Sequence, residues 1–168
     1  KRKLLIFRML PSGALDPSFG LNGSVVISDG TTTREAGYSV IVDPAGNIVV
    51  AGGRDELMLV ARVTANGTPD GSFGTNGVFV GPRAISSNHR IANAPGGGYR
   101  LIGSFANGGA WDCKVAALTA AGAIDPAFGS SGYASPPSSG TGANNCAALA
   151  VQPDGRIVVG GHDGVAAF

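Results

Sequence analysis

One phrase, written three times, constrains this chain more than any other feature. Asp16-Pro17-Ser18-Phe19-Gly20-Leu21-Asn22-Gly23 returns as Asp70-Gly71-Ser72-Phe73-Gly74-Thr75-Asn76-Gly77. It returns again as Asp125-Pro126-Ala127-Phe128-Gly129-Ser130-Ser131-Gly132. The Phe-to-Phe steps are 54 and 55 residues. A fixed period of this size marks a repeat architecture, with each repeat a unit that cannot bury its apolar face alone.

Each copy sets a turn-forming Asp or Asp-Pro before a single Phe, then Gly, two small residues and Gly. The Asp accepts hydrogen bonds from nearby backbone N–H groups, and the Gly supplies backbone angles closed to other residues. The Phe is the one large apolar group in a tight polar loop, and it is expected to plug that loop into a core between neighbouring units. Calcium binding by Asp16, Asp70 and Asp125 is the functional alternative. The surrounding positions offer few further oxygen ligands for such an ion.

Four short strands are expected per copy. An apolar strand precedes each phrase, over residues 3–10, 57–64 and 112–119, and Arg8 and Arg62 recur in it where Ala117 stands in the third copy. A short strand follows each phrase at 24–28, 78–80 and 133–135. Residues 38–43, 89–94 and 147–152 then lead into Pro-Gly turns at 43–46, 94–97 and 152–155, where Pro fixes one backbone angle and Gly permits the unusual one. Strands 47–51, 99–103 and 156–159 come next. Their continuous Ile-Val-Val runs fit strands covered on both faces, and 47–51 and 156–159 are expected among the most buried. Four strands in about 55 residues is the content of one propeller blade. The chain reads as all-β: one repeat domain over 1–168, made of about three blade-sized units of four antiparallel strands. The Ser/Gly/Pro-rich segment 136–145 reads as a surface loop.

Composition agrees. Charged residues are 14% of the chain, against ~25% in an average domain, and Gly supplies 28 of 168 residues. A net charge of +1 gives no electrostatic case for nucleic acid or an anionic membrane. Lys1-Arg2-Lys3 followed by Leu4–Phe7 imitates the start of a signal peptide, but Arg8 interrupts the apolar run too soon. No stretch approaches the ~20 apolar residues of a membrane span. A polar surface of Ser, Thr, Asn and Gly with only three lysines suggests an exported protein, extracellular, cell-surface or periplasmic.

The phrases ALAVQPDGRIVVGG (148–161) and VTANGTPDGSFGTNG (63–77) resemble the bacterial delta-60 repeat, a β-propeller repeat family of largely unknown function found in exported and surface proteins. The resemblance covers almost the whole chain. The middle copy departs from it: Asn93 and Arg100 flank its Pro-Gly turn. The resemblance implies a propeller and an exported setting, and it brings no catalytic residues.

The candidate chemistry is thin. Five of the nine Asp (16, 43, 70, 125 and 154) sit in repeated turns. Glu35 and Glu56 are the only glutamates and lie in different parts of the repeat. His89 and His162 lack a metal-like spacing, and no nucleophile elbow marks a Ser/His/Asp set. Arg8 and Arg62 read as partners of a turn Asp, with substrate binding the alternative. Cys113 and Cys146 lie outside the repeated positions; they read either as a disulfide in an oxidising compartment or as two small buried thiols. Trp111, Tyr99 and Tyr133 are candidates for a sugar or ligand site, with packing the alternative.

Three copies fall short of the 4–8 blades of typical rings. Residues 3–7 and 165–168 both align with 57–61, so the ends are expected to overlap at one strand position. The absence of an initiator Met suggests processing or a fragment. The ring is expected to be incomplete, or completed by protein partners or further copies of the chain. The expected function is a non-enzymatic structural or binding module of an exported or surface assembly, with no cofactor. A carbohydrate-binding propeller, or a propeller hydrolase sited in missing blades, is the alternative.

Overall fold

The computed structural model describes residues 2–28, 30, 34–83, 89–107, 110–135 and 145–162. Among these residues every regular element is a β-strand, and all strand pairs within sheets are antiparallel. Strands β3 (Glu35–Val42), β4 (Ile48–Arg54), β5 (Leu57–Val63) and β6 (Val78–Arg83) form one four-stranded meander. Strands β7 (Arg90–Asn93), β8 (Tyr99–Asn107), β9 (Ala110–Leu118) and β10 (Tyr133–Ala134) form a second. These are two complete blades.

A half-blade flanks each side. β1 (Leu4–Phe7) pairs with β2 (Ser24–Ile27), and β11 (Asn145–Val151) pairs with β12 (Ile157–His162). The repeat positions make β1–β2 the third and fourth strands of a blade, and β11–β12 the first and second. Among the described residues the halves are therefore complementary, not overlapping. The overlap expected from Val165–Phe168 lies outside the described residues.

The strands pack because their apolar residues point both ways. In β5, Met58 and Val60 face the second blade, while Leu59, Ala61 and Val63 face the first half-blade; all five are fully buried. Sheets stacked on both faces need this continuous apolar run. Three inter-blade cores result. Leu4, Ile6, Phe19 and Val25 meet Val50, Leu59 and Ala61 in the first. Val49, Met58 and Val60 meet Ile91, Leu101 and Leu118 in the second. In the third, Ile102 and Val115 meet Cys146, Leu149, Ile157 and Val159. Burying each such side chain contributes about 1.5–3 kcal/mol relative to exposure.

The turns behave as their residues demand. Gly46, Gly97 and Gly155 each donate their N–H to the carbonyl three residues earlier, closing the Pro-containing turns. The first strand carries a bulge between Gly37 and Ser39, repeated between Cys146 and Ala148. A side chain on Gly52 would strike the carbonyl of Ala36, and one on Gly161 that of Asn145, so both bulges require the glycine opposite.

Strand 156–159 is not among the most buried, contrary to expectation. Val158 is 53% exposed, whereas Val49, its equivalent in the complete blade, is 0%. Val49 faces the second blade; among the described residues no blade covers Val158. Strand 47–51 does meet the expectation at Val49, Val50 and Ala51.

Candidate functional site

The three phrases fold into one loop geometry. Gly20, Gly74 and Gly129 have φ of 55°, 54° and 55°, and Gly23, Gly77 and Gly132 have φ of 91°, 86° and 92°. Asn22, Asn76 and Ser131 sit in the left-handed region as well, at 52–53°. A side chain on the first glycine would strike the carbonyl of Ser24, Val78 or Tyr133 in its own copy. The second glycine is buried, unlike the exposed residues before it, because it backs onto the start of its own loop.

Around each plug the side chains form a clamp. Arg62 donates from Nε to Asp70 Oδ2 at 2.8 Å and from Nη2 to Ser72 Oγ at 3.1 Å. Its Nη1 reaches into the next blade, to the carbonyl of Ala120 at 2.6 Å and to Tyr99 Oη at 3.1 Å. The guanidinium lies over the Phe73 ring, 4.8 Å from its centroid. Arg8 repeats this set with Asp16, Ser18, the carbonyl of Ala65 and Phe19, again 4.8 Å away. Phe19 and Phe73 are both fully buried.

The clamp's second jaw is a turn in the following blade. Gly20 N–H donates to the Asn66 carbonyl and Gly74 N–H to the Ala121 carbonyl, each at 2.8 Å. Gly122 lies directly on the Phe73 ring; a Cβ there would meet ring carbons at 2.7–2.8 Å. These capping turns, 64–67 and 119–122, have a counterpart at 10–13. Gly13, Gly67 and Gly122 recur at the same 54- and 55-residue steps as the plugs. That recurrence is a signal for these turns in the sequence itself.

Phe128 corrects the plug expectation, because it is only partly buried. Its loop has the right backbone, but among the described residues no capping turn lies over it, and Gly129 makes no cross-blade bond there of the kind made by Gly20 and Gly74. The clamp is also rebuilt. Ala117 replaces the Arg of β9, and Arg100, its cross-strand partner on β8, places its guanidinium over Phe128 at 4.9 Å. Among the described residues the Asp125 carboxylate accepts from Ala127 N–H alone.

The carboxylates serve these loops. Hydrogen bonds from the Ser18 hydroxyl and N–H, with Arg8 beside them, hold Asp16 below its usual pKa; Ser72 and Arg62 do the same for Asp70. Both oxygens of Asp16 and of Asp70 accept hydrogen bonds from these donors. Asp43 is buried in its turn. Burial opposes its charge, but bonds from Asn47, Tyr99 and Ala45 prevail and its pKa is lowered. Tyr99 donates to Asp43 Oδ2 at 3.0 Å and accepts from Arg62, and its burial raises its own pKa. This Arg62–Tyr99–Asp43 chain ties two blades together. Tyr99 as a cross-blade link was not legible, since its partners lie 37 and 56 residues away.

The other candidates do not converge. Tyr133 packs edge-to-face on Phe105, with centroids 5.7 Å apart. The Trp111 side chain lies outside the described residues. Glu35 is buried and paired with Arg54, while Glu56 pairs with Arg83 on the surface. His162 is exposed; His89 is buried against Tyr38, ring centroids 5.9 Å apart. Neither His89 nitrogen finds a partner with hydrogen-bond geometry. Burial, opposed by the nearby Gly52 backbone and reinforced by Arg90, lowers its pKa to about 4. Among the described residues no three His, Cys, Asp or Glu side chains gather as a metal set. No helix there is long and apolar enough to cross a membrane. Cys113 and Cys146 form a disulfide, Cα–Cα 5.3 Å, between the second blade and the half-blade beyond it.

Residues 152–167 match a family model described as a domain of unknown function (DUF5122) beta-propeller. The match spans the third Pro-Gly turn and β12. Together with the four-stranded antiparallel sheets it defines the class: a β-propeller-type repeat fold with open, unclosed sheets. No curated protein and no solved structure matches the chain.

Proposed function

We propose that the chain is a non-enzymatic propeller module of an exported or cell-surface assembly, built from repeats that resemble the delta-60 repeat. One observation carries this reading: the recurring polar side chains bond within the fold. Arg8, Asp16 and Ser18, like Arg62, Asp70 and Ser72, spend their hydrogen bonds on their own loop and on the next blade. Repetition here serves the stacking of blades, which needs the same joint at every seam. The Cys113–Cys146 disulfide favours an oxidising compartment.

Two measurements test the reading. Alkylation of thiols in freshly lysed producing cells should find Cys113 and Cys146 protected; free thiols would contradict export. A panel of chromogenic ester, glycoside and phosphoester substrates should turn over no faster than in buffer. Hydrolysis that is lost on Asp70→Asn, with folding intact, would make the chain an enzyme.

A further inference from the structure

Asn-Gly pairs stand at 22–23, 66–67, 76–77 and 107–108; Gly108 lies outside the described residues. In such a pair the Asn carboxamide is open to attack by the next backbone nitrogen, because glycine has no Cβ to shield that nitrogen. Two of the pairs close plug loops. Asn22 and Asn76 are exposed, at φ 52° and 53°, while Gly23 and Gly77 behind them are buried. The third plug loop carries Ser131 at this place, at φ 52°. It holds the same backbone without a carboxamide.

The closed loop engages the attacking atom. Gly23 N–H donates to the Phe19 carbonyl at 2.9 Å, and Gly77 N–H to the Phe73 carbonyl at 3.0 Å. To react, the glycine nitrogen has to leave that bond and turn onto the Asn Cγ. The plug resists the movement, since Phe19 and Phe73 are fully buried. The backbone has no slack either: a Cβ on Gly77 would already crowd the Arg62 carbonyl and Asp70 N at 3.1 Å. Asn66 is held in another way, through its own carboxamide. Its Oδ1 accepts from Thr68 N–H at 3.2 Å and from the Thr64 hydroxyl.

We propose that Asn22 and Asn76 are sites of spontaneous deamidation, each gated by the opening of the plug loop that it closes. In the opened loop the glycine nitrogen loses its proton and bonds to Asn Cγ. The carboxamide C–N bond breaks, and ammonia leaves with that proton. Water then adds to either carbonyl of the five-membered imide and breaks one of its ring C–N bonds, leaving Asp or isoaspartate. The rate follows the population of the opened loop. The two products act differently on the joint. Asp keeps the chain length and tolerates the left-handed region, so the loop recloses. Isoaspartate lengthens the main chain ahead of the glycine, which carries its N–H out of register with the Phe carbonyl. A brief opening of a seam is thereby recorded as a lasting one.

This chemistry needs only the loop geometry and water, so it stands apart from the assembly role proposed above. The test is to age the purified chain in mildly alkaline buffer and map its peptides by mass spectrometry. Asn76 should deamidate fastest in denaturing urea and far more slowly in the folded parent. Phe73→Ala should raise the folded-state rate at Asn76 by about tenfold or more, because the emptied site makes opening easier. The rate at Asn22, whose plug is intact, should keep its parent value. Phe73→Leu retains a shorter apolar plug and serves where Phe73→Ala does not fold; it should give a smaller rise in the same direction. Aged parent chain carrying isoaspartate at position 76 should melt below fresh chain, whereas Asn76→Ser, with the residue of the third loop, should age without that loss. Equal Asn76 rates in the denatured, parent and plug-truncated chains, or a rise at Asn22 as large as that at Asn76, would overturn the proposal. So would an isoaspartate-bearing chain as stable as the fresh one.

Discussion

The sharpest contrast the structure offers is between two copies of the same phenylalanine. Phe73 is fully buried, with Arg62 over one part of its ring, Gly122 against it and Tyr99 edge-on, ring centroids 5.9 Å apart. A buried Phe hides on the order of 150–200 Å². At about 25 cal/mol per Å² that is roughly 4–5 kcal/mol, matching the ~3–5 kcal/mol seen when core Phe is cut to Ala. For a chain of this size each kcal/mol moves the midpoint by about 2–4 °C, so Phe73→Ala should melt roughly 6–20 °C lower. Phe128 occupies the same loop but lies only partly buried. Phe128→Ala should cost about 1–2 kcal/mol, having less area to lose. Both variants should be melted by circular dichroism beside the parent chain. A Phe73→Ala midpoint equal to the parent's, or equal losses at both sites, would refute the plug mechanism.

Three further outcomes follow from the same contacts. His89 is neutral in the fold with a pKa of about 4, against 6.5 for the free side chain. Its contribution is therefore complete above pH 6.5 and declines as pH falls toward 4, by about 3 kcal/mol in all. Urea midpoints should show that slope, and His89→Leu should flatten it. Reducing the disulfide opens a cross-link spanning 33 residues, worth about 3–4 kcal/mol by chain entropy; reduction should expose residues 145–162 to proteolysis before the complete blades. Arg62→Lys keeps the charge but loses the planar fork that serves Asp70, Ser72 and Ala120 together, and should cost about 2 kcal/mol. Arg8→Lys should cost less in urea denaturation, since Arg8 is 34% exposed where Arg62 is 9%.

Much of this architecture was legible because repeats announce themselves. The phrases at 16–23 and 70–77 place their loops, turns and plugs without reference to anything distant, and the Arg–Asp pairing follows from an eight-residue spacing. What stayed hidden depends on neighbours in space. Val158 reads like Val49 and Phe128 like Phe73, yet whether each is covered depends on the next blade, not on its own residues. Arg100 looked like a departure from the pattern. It is the compensation for Ala117, reached across the β8–β9 ladder instead of along one strand. The Tyr99 hydroxyl, joining Asp43 to Arg62, has no local signature at all.

The central claim is that each plug loop is locked by the blade that follows it. Amide hydrogen exchange followed by NMR tests it directly. Gly20 and Gly74 N–H should be protected by the carbonyls of Asn66 and Ala121, while Gly129, in the same loop with no capping turn over it among the described residues, exchanges at the rate of an open loop. Equal rates at all three glycines, or a fast-exchanging Gly74, would contradict the account.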